Sequence, residues 1–384
     1  MAHSNTLLAQ ILAVLPRHEF EALSRRHPAE VKPRNFTRWT HFVSMLTAQL
    51  AGLDSLRGIV DYFSIHSKQL YHPGIRTFSR STLSRANTQE STALLFQSVF
   101  YKLLSRCREL APGRNKCKFK GVGKVYLLDS TLIQLSLSLF PWASYRTGKG
   151  AAKAHIGIDS DGYIPTFVEF TEGSRNDVKW AGKQQFPKYS CMVFDRGYID
   201  YKWFKRLTGD GVYFVTRLKK NSKFKIIKKR SGRKVENILE DAYIKFNGVD
   251  TIFRYIHFID PNSENDDDKE YEFLTNAHHI SADTVAGLYK ERWQVELFFK
   301  WIKQHLKVKS FVGASMNAVR IQLWTALCVY LLVAFLQFRS RSGLSFWAIL
   351  RKLRFILFER RELSDLFILP EPKIPRKIKC LSKG

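Results

Sequence analysis

Between Leu288 and Lys307 the chain reads LYKERWQVELFFKWIKQHLK, and four of its side chains could do chemistry together: Tyr289, Arg292, Glu296 and Lys303. Offsets of 0, +3, +7 and +14 put them within roughly 60° of one another on an α-helix. Trp293, Leu297, Phe298, Trp301 and Ile302 fill the other directions, so one polar stripe interrupts an otherwise apolar helix. A helix apolar nearly all round is usually buried, and buried Arg, Glu and Lys are costly unless a partner, a metal or a bound phosphate compensates them. Arg292 and Glu296 can form an ion pair within the helix, but such a pair contributes only about 0.2–0.5 kcal/mol and leaves Tyr289 and Lys303 unexplained. The sharper reading makes Glu296 a metal ligand and the other three a clamp on a nucleic-acid phosphate and its adjoining nucleotide.

A ligating glutamate needs further acids. Asp129 in VYLLDST and Asp195 in MVFDRGY each follow an apolar run that reads as a strand, and an acid at the C-terminal edge of a strand faces the crevice where open α/β sheets hold their chemistry. Three clustered carboxylates repel one another and would protonate without a divalent cation. Oxygen-only ligation suits Mg²⁺ or Mn²⁺. Two such ions, about 3.5–4 Å apart, would activate a water or 3′-hydroxyl on one side of a phosphodiester and stabilise the leaving oxygen on the other. Asp159 and Asp161 read instead as turn residues of a hairpin, and Asp177 in SRNDVK as an N-cap. The eleven histidines, His155 and His305 among them, form no spaced metal motif.

These residues must be positioned by elements of more than one kind. Residues 1–112 read as a helical, DNA-binding N-terminal domain: RNFTRWTHFVSMLTAQLAGL has Thr37 as a candidate N-cap, and Ser79 or Ser81 could cap a helix carrying Arg80 and Arg85. The Gly-, Pro- and Lys-rich stretch from Ala111 to Gly123 reads as a linker. From 120 to 218 the pattern is strand, strand, strand, helix or loop, strand, helix, strand, the first part of a mixed α/β core. Residues 219–275 read as a β-rich insertion, 276–345 as the second part of the core with the Glu296 helix, and 346–384 as a basic C-terminal region.

A formal net charge of +28 suits a protein that neutralises a polyanion, and the basic residues are interleaved with aromatics along the whole chain. Five scattered cysteines without a Cys-x-x-Cys pair argue against a disulfide framework or zinc finger and for a reducing cytosol. The segment Ile321 to Phe338 is long enough for a membrane span, but Gln322, Thr325 and Gln337 interrupt it and it reads as a buried core helix, with no membrane partner.

Tyr289, Arg292, Glu296 and Lys303, together with LLDST and FDRGYID, resemble the DDE transposases of bacterial insertion sequences, of the insertion-sequence-four type with its Tyr-(2)-Arg-(3)-Glu-(6)-Lys signature. KAHIGIDSDGYIPTFVEFTEGSRNDVK is similar to that family's second and third strands, so the likeness runs along nearly the whole chain. The resemblance implies an RNase H-like mixed sheet flanked by helices, with Asp129, Asp195 and Glu296 as catalytic metal ligands for two Mg²⁺ or Mn²⁺ ions. It also implies Tyr289, Arg292 and Lys303 on DNA. The implied activity is nicking at transposon ends, hairpin formation and resolution, then strand transfer into target DNA by an assembly holding two ends, in the bacterial cytoplasm at the nucleoid. Phe253, Tyr255 and Phe258 are candidates for the insertion aromatic that fills the space left by a flipped base. A catalytically inactive DNA-binding regulator and an RNase H-like nuclease without strand transfer are the alternatives.

Overall fold

The strand β1 (Val125–Leu135) is buried on both faces over its first four residues and opens from Asp129 onward, the pattern of a central strand leading into a cleft. It pairs in parallel with β5 (Cys191–Phe194), which pairs in parallel with β6 (Tyr213–Arg217). On its other side it pairs antiparallel with β3 (Lys149–Asp159), and β3 with β4 (Ile164–Glu172); the short β2 (Ser144–Arg146) lies beside β3. The order β4-β3-β1-β5-β6 is that of an RNase H-like sheet, the architecture expected. The structure, a computed structural model, describes residues 5–30, 35–112, 119–146, 149–230, 237–261, 269–306 and 311–367.

The β-rich stretch after Lys219 prolongs this same sheet. β10 (Glu270–Thr275) pairs antiparallel with β6, and β9 (Phe253–Ile259), β8 (Ile238–Phe246) and β7 (Phe224–Lys229) follow as a meander. Pairing with β10 satisfies the backbone groups that would otherwise line the edge of β6. The fully buried Arg254 of β9 forks onto Asp241 at 2.9 and 2.7 Å and donates to the carbonyls of Ala277 and Ile280 at 3.2 and 2.6 Å. It thereby ties the meander to the connection that enters α9 (Ala282–Glu291).

Helices cover both faces. Alternation along the strands sends Tyr126, Leu128, Met192, Phe194 and Phe214 into one apolar cluster with α7 (Asp177–Ala181) and α8 (Tyr201–Gly209), and Val125, Leu127, Val193 and Val215 into another. The second cluster holds the N-terminal helices, among them α3 (Arg38–Ala51) and α6 (Glu90–Leu110), and the 25-residue α11 (Met316–Ser340). Thr37 caps α3 by accepting from Thr40 N–H, and Ser79 caps a seven-residue helix, Arg80–Ala86. Trp324 of α11 touches Phe100 of α6 at 5.2 Å and Phe170 of β4 at 4.9 Å. The apolar segment at Ile321 is therefore a core helix, 89% of its most apolar window being buried. Cys107, Cys191 and Cys328 are buried free thiols; Cys117 and Cys380 lie outside the described residues.

The stretch from Leu288 departs from the single buried helix expected. α9 ends at Glu291, Arg292 forms a turn, and α10 (Trp293–His305) begins afresh; Lys307 lies outside the described residues. Nor is α10 buried all round. Val295, Phe298, Phe299 and Ile302 face the core, while Trp293 and Leu297 are 56% and 41% exposed.

Candidate active site

Parallel pairing of β1 with β5 aligns Leu128 with Phe194, so the next residues, Asp129 and Asp195, lie side by side where β5 ends, on strands about 4.8 Å apart. Asp195 follows the end of its strand as expected, whereas Asp129 stands inside β1, which runs on to Leu135 along β3. The backbone helps to hold each acid: Asp129 Oδ1 accepts from Ser130 N–H at 2.7 Å and Asp195 Oδ1 from Gly197 N–H at 2.5 Å. α10 docks over β1 with Glu296 in its first turn. The Arg292 guanidinium joins the parts, 2.7 Å from Glu296 and 3.7 Å from Asp129. The ion pair within the stripe is thus present, and it extends to an acid more than 160 residues away in sequence.

Burial pushes the Asp129 carboxyl up to about 6; the Ser130 N–H and Arg292 oppose the rise, and the charges of Asp195 and Glu296 add to it. Asp129 therefore stands in the field of the other two acids, as a cation-binding triad requires. Among the described residues no three His, Cys, Asp or Glu groups are drawn to metal-holding distance; a guanidinium occupies the position between Asp129 and Glu296. The donor set fits a hard divalent cation in kind, all carboxylate oxygen, and the raised Asp129 is the group such a cation would relieve.

Lys303 donates to Thr131 Oγ1 at 2.5 Å, on the same face of β1 as Asp129. Tyr289 is 8% exposed; its ring packs on Phe273 at 5.1 Å, and the Arg292 guanidinium lies 5.6 Å from its centre. Tyr289, Arg292 and Trp293 line a cleft of about 530 Å³ that also meets Arg217, Phe258 and Tyr271. Of the three aromatic candidates, Phe258 faces that cleft, whereas Phe253 is fully buried and Tyr255 is 5% exposed with its hydroxyl on Glu272.

The remaining acids fall elsewhere. Asp159 accepts from Asp161 N–H at 3.0 Å and pairs with Lys124 at 2.9 Å in the hairpin turn. Asp177 is not the N-cap of α7; Asn176 is, accepting from Val178 N–H at 2.8 Å. Asp177 instead pairs with Lys153 and the fully buried His155. This cluster was missed in the sequence, where the two-residue spacing of Lys153 and His155 on one strand face was its signal. His305 stacks on Trp347 at 4.2 Å, a packing role.

The profile of the family "Transposase DDE domain" matches residues 120–332, and a domain of unknown function, DUF4372, matches residues 3–76. A protein of Sinorhizobium fredii described as transposase y4zB is 32% identical over 254 residues, 64% of this chain and 70% of its own length. One from Geobacillus stearothermophilus, described as the transposase for insertion sequence element IS5377, is 28% identical over 75% of this chain and 74% of its own. A solved piggyBac transposase synaptic complex with hairpin DNA covers 95% of this chain and 80% of that one, at TM-score 0.47 and 11% identity, too distant a likeness to carry an argument. The family match spans more than half of the sequence, and the two relatives align with 64% and 75% of it: this chain belongs to the DDE transposases of insertion sequences, DNA-acting enzymes that use divalent metal.

Proposed function

We propose that Asp129, Asp195 and Glu296 are the catalytic acids and that they hold two Mg²⁺ or Mn²⁺ ions. The observation that carries this reading is the pair of acids side by side on adjacent parallel strands, where β5 ends beside β1, with Asp129 linked through Arg292 to a glutamate on the helix docked above. When bound, the ions would activate the attacking hydroxyl and stabilise the leaving oxygen of a phosphodiester. The attacking group is first water, which nicks the transposon end, and then the freed 3′-hydroxyl, which forms a hairpin and, after its resolution, joins target DNA.

Tyr289, Arg292 and Lys303 grip the DNA beside the scissile phosphate. Arg292 has the fork that fits two phosphate oxygens, and an incoming phosphate and cation together would compete for what it and the carboxylates now give each other. The exposed Trp293 and the cleft of about 530 Å³ beside Tyr289 supply room and apolar surface for a displaced nucleotide. Residues 1–112 read the terminal repeats, 120–218 and 276–345 form the catalytic core, 219–275 the insertion and 346–384 a basic tail. Two copies act together at paired ends, in the cytoplasm at the nucleoid.

The test is incubation of the full chain with DNA bearing its own element's ends and Mg²⁺ or Mn²⁺, comparing wild type with Glu296→Ala. Nicks and hairpins from wild type alone are expected. Wild type that binds the ends but yields neither product with any divalent cation would end the proposal.

A further inference from the structure

A second polar cluster lies on the reverse of β1, directly behind the site. Successive strand residues point to opposite faces, so Asp129 and Thr131 meet Arg292 and Lys303 while Ser130 faces Asp177 of α7 and Tyr198 of the turn Arg196–Tyr198. The cross-strand neighbour of Ser130 is His155, which is fully buried and stacks on Trp180 at 5.2 Å. His155 Nδ1 lies 3.0 Å from Asp177 Oδ1, and its Nε2 is 2.9 Å from Thr171 Oγ1. Lys153 Nζ donates to Asp177 Oδ2 at 2.8 Å and to the Arg175 carbonyl at 3.1 Å. Burial would raise the Asp177 carboxyl, but His155, Lys153 and Ser130 outweigh it and bring it down to about 2. It is a fixed negative charge.

Tyr198, three residues after Asp195, is 1% exposed. Burial, reinforced by the charges of Asp177, Asp129 and Asp195, raises its hydroxyl well above the ordinary range, so it keeps its proton. Ser130 is near enough to temper that rise, yet the hydroxyl has no aligned hydrogen-bond partner among the described residues.

We propose that Asp177 and Tyr198 are positioning residues for the cation site: Asp177, locked by Lys153 and His155, fixes Ser130 and with it the stretch of β1 that carries Asp129, while Tyr198, its hydroxyl also beside Ser130, braces the turn behind Asp195. This rests on the reading that Asp129 and Asp195 take up the metal. Nothing in it requires Asp177 to touch the ion. A purely structural ion pair on the far side of a strand would leave cation affinity unchanged; a positioning role would not, since groups supporting metal ligands change affinity by about 10–100-fold.

The experiment is calorimetric titration of full-length, DNA-free protein with Mn²⁺, alongside thermal melting, for wild type, Asp129→Asn, Asp177→Asn and Tyr198→Phe. Expected is a 10–100-fold weaker Mn²⁺ dissociation constant for Asp177→Asn and Tyr198→Phe, with Tyr198→Phe melting like wild type. If wild type binds Mn²⁺, Asp129→Asn does not, and Tyr198→Phe binds as wild type does, the positioning role is overturned while the metal reading stands. If Asp177→Asn abolishes binding as fully as Asp129→Asn, Asp177 is a ligand and the positioning role is wrong. Wild type that takes up no Mn²⁺, or Asp129→Asn that binds like wild type, overturns the metal reading and the proposal with it.

Discussion

Replacing Asp129 by Asn is expected to stabilise the metal-free protein at neutral pH, although it removes a group proposed to hold the metal. Burial and two neighbouring acids hold the Asp129 carboxyl at about 6, against an ordinary value of 3.8. A folded pKa above the unfolded one means that ionisation disfavours the fold: the difference of roughly 2 units, at 1.36 kcal/mol each, amounts to about 3 kcal/mol at pH 7.5. The sign is that of an acid stable when protonated. The penalty is therefore complete above pH 6 and declines as pH falls toward 3.8, to about 1 kcal/mol at pH 4.5. With an unfolding entropy of about 2.1 cal/mol/K per residue over 384 residues, 3 kcal/mol corresponds to a melting temperature about 4 °C higher. The assay is thermal unfolding of both proteins in EDTA at pH 7.5 and 4.5, then with Mg²⁺. Asp129→Asn is expected to melt higher at pH 7.5, to lose most of that advantage at pH 4.5, and to gain nothing from Mg²⁺, which raises wild type. Equal melting in EDTA at pH 7.5, or an advantage that does not shrink with acid, would refute the reasoning.

Arg254→Met leaves Asp241 without the buried fork that pairs it and frees the carbonyls before α9; a loss of about 3–5 kcal/mol is expected, read as a lower denaturant midpoint. Lys303→Met removes one cation beside the acids, so DNA binding weakens for all sequences and the slope of log affinity against log salt falls by about 1, measured by titration over a range of NaCl. His41 is fully buried and its imidazole is pushed down to about 4, chiefly by burial. The unfolded chain protonates first, so stability falls by about 3 kcal/mol as pH drops from 6.5 to 4. His41→Gln should flatten that part of the stability curve.

Asp195 was legible as a strand end because an acid closing an apolar run reads as one; Asp129 read the same way, but β1 runs on through it to Leu135 along β3, so it stands inside its strand. That their strands are neighbours was not local: it depends on β5 pairing with β1 across more than fifty residues. The break at Arg292 had no glycine or proline to announce it, so the stripe read as one straight helix, and the exposure of Trp293 and Leu297 was hidden with it. A β-rich stretch after Lys219 was visible from composition, but its continuity with the main sheet rests on the pairing of β10 with β6. Asp177 read as a cap because an acid before a helix usually is one; its partners, Lys153 and His155, come from another strand.

Because α11 fills the space between α6 and β4, with Tyr330 also against Phe298 and Trp301 of α10, its surface is shared by the helices near the N-terminus and by the layer that carries Glu296. Neither portion is a detachable module. A chimera that exchanged the first 110 residues for those of a relative would have to carry a matching α11, or it would leave a long greasy flank open to water and to other chains.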